Sequence, residues 1–155
     1  MFLNKTLIKK MVKRAFQKEG LITGQIYEGL VISNGNWVSW TRSGAVPNWL
    51  KAAIMEHTGI LPKEGQIFTA MKGDMLQYEI EDPRMDLPER FQQSKVPFSV
   101  TPIVYEEMSF QARLLSCNDT GEVIPVLAEY YDVLDFSELG DEHRPSGPSA
   151  ETKAG

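Results

Sequence analysis

Leu3, Leu7, Ile8, Met11, Val12, Ala15 and Phe16 recur three and four residues apart, the spacing of one face of an α-helix. Asn4 can cap the start of this helix and Gly20 can end it. The pattern then shifts to two β-rich runs, Gln25–Ser33 and Asn36–Thr41, around Asn34-Gly35. An Asn-Gly pair accepts the positive φ angles of a tight hairpin turn, so the runs predict a hairpin. Pro47 suits a first helical turn. Trp49, Leu50, Ala53, Ile54 and His57 follow at helical spacing up to Gly59, a C-terminal stop. A second hairpin is expected from Gln66–Met71 and Met75–Ile80 around Lys72-Gly73-Asp74. Residues 82–97 are rich in proline and charge, which predicts an irregular excursion with one short helix near Pro88–Ser94. Strands follow at Phe98–Tyr105, Ser109–Cys117 and Val123–Phe136, with Asn118-Asp119-Thr120-Gly121 turning between the last two. Val123, Val126, Leu127, Tyr130, Tyr131 and Leu134 also fit a helix with Pro125 in its first turn. Their β-branched and aromatic content favours a strand.

This order predicts an α+β fold: a mainly antiparallel sheet built from hairpins, with two amphipathic helices packed on one face. Residues 1–136 are read as a single α+β domain, and a chain of 155 residues is long enough to bury a core without staples. From Ser137 onward the chain turns to Ser, Pro, Gly, Glu and Asp, too few apolar side chains to offset the entropy of ordering. Residues 137–155 are therefore expected to form a disordered acidic tail.

The one cysteine, Cys117, has no partner for a disulfide within the chain, which fits a reducing compartment. Lysines interrupt the apolar residues of the N-terminus, so it does not read as a signal peptide. No apolar run approaches the roughly 18 residues of a spanning helix. A cytoplasmic location without a transmembrane segment is the expectation.

The net charge of −5 is unevenly spread. Residues 1–20 hold six basic groups against Glu19, a net of +5, and residues 106–155 hold eleven acids against three bases, a net of −8. Lys9, Lys10, Lys13, Arg14 and Lys18 make the polar side of the first helix cationic, as phosphate contacts require. The same helix has the apolar stripe and cations of a membrane-surface helix, but a stripe packed on the sheet explains it more simply. The low pI departs from that of a dedicated nucleic-acid domain. Trp37 and Trp40 lie three apart, so on a regular strand they face opposite sides, one toward a core and one toward a partner. Tyr105, Tyr130, Tyr131 and Phe136 stand among acids, with Glu129, Asp132, Asp135 and Glu138 in series. An acidic, aromatic surface of that kind suits a basic protein, including the cationic channel of a nucleic-acid enzyme.

Catalytic chemistry has less to stand on. Asp119-Thr120-Gly121 resembles the three-residue signature of aspartic proteases, which would imply a dimer with two carboxylates sharing a proton. Asn118 before it and Glu122 after it depart from that family's pattern, and the same residues make an ordinary polar turn. Cys117 with His57 would supply a thiolate and its base, yet nothing in their spacing brings them together. There is no HExxH, CxxC, EF-hand loop or glycine-rich phosphate loop, so neither metal nor cofactor is expected.

The expected function is a non-enzymatic accessory or regulatory protein that binds another macromolecule, first of all a protein, including as an inhibitor of a nucleic-acid enzyme. Trp37, Trp40, Glu129, Tyr131, Asp132 and Asp135 are its interface candidates. A nucleic-acid module using the basic helix is the first alternative, and a small hydrolase using Cys117 or Asp119 the second. An exposed sheet edge would offer a route to a homo-oligomer.

Overall fold

The computed structural model describes residues 3–135 and 148–151. They form two antiparallel sheets with four α-helices. Backbone contacts group into two compact units that meet between Pro88 and Glu89, with Leu3 and Asn4 joining the second. The α+β class with mainly antiparallel pairing is as the hairpin pattern predicts.

The first unit opens with α1 (Lys5–Arg14), which continues as one π-helical turn over Ala15–Glu19. Gly20 ends it at φ 95°, its N–H donating to Ala15 O at 2.7 Å. Then come β1 (Leu21–Ile26), β2 (Gly29–Ser33), β3 (Val38–Arg42), α2 (Asn48–Thr58), β4 (Ile67–Ala70) and β5 (Gln77–Tyr78). The strands lie in the order β3-β2-β1-β4-β5. α2 stops at Gly59, which is left-handed at φ 78° and donates its N–H to Met55 O. At Asn34-Gly35 the Asn34 Oδ1 accepts the N–H groups of Asn36 and Trp37, closing the turn between β2 and β3.

The run Gln25–Ser33, expected to be one strand, holds a second reversal. Tyr27 and Glu28 both adopt positive φ, 53° and 60°, the two-residue turn that matches strand twist. Left-handed backbone costs a non-glycine residue roughly 1 kcal/mol. Contacts from later in the chain hold it. Trp40 Nε1 donates to Tyr27 O at 3.1 Å, and Ser43 donates both its N–H and its hydroxyl to Glu28 O.

Both faces of this sheet are buried. Ile26, Val31 and Ile67 cluster on one face with Met85 over them, and Ile22, Tyr27, Val38 and Trp40 around them. Leu21, Thr23, Leu30, Ile32, Phe68 and Ala70 point to the other. There α1 and α2 pack through Ile8, Met11, Val12, Leu50, Ala53 and Ile54. Double burial explains why Leu30-Val31-Ile32 is continuously apolar.

Between the sheets, Pro83–Met85 form a 3₁₀ turn and Leu87–Gln93 form α3, the short helix expected near Pro88. The second unit then has β6 (Ser94–Glu107), β7 (Phe110–Cys117), β8 (Val123–Leu127), α4 (Ala128–Asp132) and β9 (Ser149–Glu151), with strand order β8-β7-β6-β9. β6 starts four residues earlier than expected, because Ser94, Val96 and Pro97 pair with β9. The segment expected to be a strand over Val123–Phe136 changes after Leu127 into the helical turn α4. Pro125 is accommodated because β8 is an edge strand, where a missing N–H breaks no ladder. Leu3 bridges Leu134, and the Asn4 N–H donates to Val133 O at 2.6 Å. Of the expected tail, residues 137–147 and 152–155 lie outside the described residues, as does Phe136.

Candidate functional site

Strand register decides what each face of the second sheet presents. Phe98 pairs with Cys117, Val100 with Leu115 and Ile124, and Val104 with Arg113 and Val126. These residues share one face. Arg113 holds α4 over it, its guanidinium 5.0 Å from the Tyr131 ring centre and 3.9 Å from the Asp132 carboxylate. Leu115 and Cys117 are buried there.

The opposite face carries the rows Tyr105–Ala112–Leu127, Glu107–Phe110, Leu114–Pro125 and Ser99–Ser116–Val123. Ala112 is buried beneath its larger neighbours, but Tyr105, Phe110 and Val123 remain 49%, 43% and 52% exposed. Pro125 is exposed as well, and Leu114 and Leu127 are half-buried. The solvated face of an antiparallel sheet is ordinarily polar. Here Ser99, Glu107 and Ser116 are joined by Tyr, Phe, Leu, Leu, Val and Pro. Met108 in the turn of the β6–β7 hairpin and Ile103 in the irregular stretch of β6 are exposed as well. A contiguous apolar patch of this kind marks an interaction surface.

Sequence reasoning singled out Tyr105 but not Phe110, Val123 or Pro125. The segment Val123–Phe136 read as a strand without an assigned face, and only the layering shows which side is left open.

The expected candidates are dispersed. Lys9, Lys10, Lys13 and Lys18 are exposed and form no ion pair among the described residues. Arg14 pairs with Glu19 at 3.1 Å, and Glu19 also accepts the Asn34 amide. Both tryptophans are half-buried, Trp40 on β3 and Trp37 just before it with its Nε1 shielded. Of the acid series, Asp132 is engaged with Arg113, Glu129 is exposed on α4, and Asp135 is half-buried. Tyr131 lies under Arg113.

His57 stacks on Phe16 at 5.2 Å in the first unit. Cys117 sits at the end of β7, where its thiol meets its own turn. The Thr120 hydroxyl and then the Thr120 N–H hold it below its ordinary pKa, with a smaller contribution from the Asp119 N–H; burial and the Asp119 carboxylate oppose them. Asp119 itself is exposed in that turn. Among the described residues no three His, Cys, Asp or Glu side chains converge to hold a metal, and no helix is long and apolar enough to cross a membrane. The first unit has an open cleft of 340 Å³ lined by Gln25, Leu30, Ser43, Val46, Lys51, Leu61, Pro62 and Glu64. Its polar groups form no nucleophile–base pair.

Comparison with protein-family models, curated proteins and solved structures gave no match.

Proposed function

We propose that this protein is a non-enzymatic accessory or regulatory protein that binds another protein through the open face of its second sheet. One observation carries this: the large apolar side chains Tyr105, Phe110, Val123 and Pro125 stand exposed together on a face where polar residues are the rule. Interfaces draw their affinity from such aromatic and aliphatic anchors. Glu107 on the face and Glu122 beside Val123 add long-range attraction for a basic partner. The experiment is affinity capture with the full chain beside Phe110→Ser plus Val123→Ser, both checked for folding by circular dichroism. A partner held by the native chain and released by the folded double variant supports the proposal. Equal capture by both counts against the face.

A second reading has its own observation, the four exposed cations Lys9, Lys10, Lys13 and Lys18 on the helix that begins the first unit, which form no ion pair among the described residues. They suit a phosphate backbone, and a salt titration of nucleic-acid binding tests them.

A further inference from the structure

We infer that the occupant of the open face is a short amphipathic helix of a partner protein, apolar on one side and cationic along its flanks. This rests on the protein-binding proposal above and adds the shape and charge of what binds.

Shape comes first. The strip formed by β6, β7 and β8 is three strands wide and five to six residues long. At strand dimensions that is about 14 Å by 18 Å. A helix with its side chains is about 10–12 Å across, and three to four turns cover about 18 Å. One such helix fills the strip. A second copy packed face to face would bring its own Glu107 and Glu122 against this acidic face.

Addition of a strand is disfavoured by the edge itself. Beyond Phe98, β6 has no described partner on the side away from β7. That stretch contains Pro102, which has no N–H to give, and a register shift between Val100 and Val104. It ends in Glu106-Glu107. Proline, bulge and charge are the devices that blunt an edge. The other edge, β8, carries Pro125 in its middle, so the side-chain face is left as the docking surface.

Charge then selects among helices. Residues 89–135 hold eight acids against three bases, a net of −5. Glu107 lies on the open face beside Phe110, and Glu122 directly precedes Val123. Arg113, the one cation on β7, points to the other face and is engaged there by Tyr131 and Asp132. A helix with acidic flanks meets repulsion, and one with lysine or arginine flanks meets attraction.

The test uses three labelled peptides of about fourteen residues and the full chain, read by fluorescence anisotropy at low and high salt. One peptide has a leucine face with lysine flanks, one the same face with glutamate flanks, and one is a scramble of the first. The lysine-flanked helix is expected to bind at least tenfold tighter than either control, and to weaken severalfold at high salt. It should also weaken at least tenfold on Phe110→Ser plus Val123→Ser. Equal binding of the glutamate-flanked helix, or indifference to those substitutions, overturns the inference. So does a concentration-dependent dimer that the same substitutions dissolve, since a second copy is then the occupant. If no peptide binds while the substitutions still release a captured protein, the helix falls and the protein-binding proposal stands. If capture also survives them, both fall.

Discussion

Gly29 lies directly beneath the indole of Trp40. A Cβ on Gly29 would stand 2.2 Å from Trp40 Nε1 and 2.7 Å from the Thr41 carbonyl oxygen. The indole cannot retreat without giving up its bond to Tyr27 O, which anchors the turn between β1 and β2. Gly29→Ala is therefore expected to destabilise the first unit by about 2–3 kcal/mol, the upper range for overpacking. Urea denaturation followed by tryptophan fluorescence measures it. A loss below half a kcal/mol would show that the indole is free to move.

The turn held by that indole carries strain that can be relieved. Glu28 has φ 60°, where glycine pays no steric cost. Glu28→Gly should raise stability by about 0.5–1 kcal/mol, since the left-handed penalty exceeds the extra entropy of an unfolded glycine. The same denaturation assay applies, and a loss of stability would mean the Glu28 side chain holds the turn.

How much of this was legible in the sequence depended on where the determining contact lies. Gly35 and Gly59 announce their positive φ, and a turn and a helix stop are found there, though Asn34 keeps an ordinary φ and the loop runs over the four residues 34–37 instead of two. Tyr27-Glu28 has no such residue. Its geometry is imposed by Trp40 and Ser43, thirteen and fifteen residues away, so local reading passed over it. The cations of α1 were legible because helical spacing places them opposite the apolar stripe. The open face was not. Whether Phe110 or Leu115 of the same strand is covered depends on α4, a five-residue helix that reaches only one side.

On α1, Lys9 and Lys13 lie one turn apart, exposed and without an ion pair among the described residues. If the helix contacts phosphate, Lys9→Glu plus Lys13→Glu should weaken nucleic-acid binding. Each lost contact should lower the slope of log affinity against log salt by about 0.7–0.9. Anisotropy with labelled single- and double-stranded probes gives the slope. An unchanged slope assigns these lysines to the solvated face alone.

The Cys117 thiol gives a prediction in pH. Donation from Thr120 holds its folded pKa below the ordinary 9.0. An acid depressed on folding adds stability that is complete above its unfolded pKa and is lost as pH falls through the folded one. Stability relative to Cys117→Ser should thus rise with pH up to about 9, and Thr120→Val should shrink the rise. Urea midpoints across that range decide it. A fall with rising pH would show that burial dominates the thiol.

Phe110 and Leu115 belong to one strand but to opposite faces, and their substitution separates core from interface. Leu115 is 7% exposed on the covered side, while Phe110 is 43% exposed on the open one. Leu115→Ala removes buried methyl groups and leaves a cavity, and should cost about 2–4 kcal/mol. Phe110→Ser should cost about 1 kcal/mol, because nearly half of the residue already meets water. Thermal unfolding of the two variants beside the native chain reads the contrast. Comparable losses would mean that Phe110 supports the fold and that its face is closed in solution. A large loss at Leu115 with little at Phe110 leaves the exposed ring without a structural duty, which is the condition under which an apolar residue on a sheet face is best explained by what docks against it.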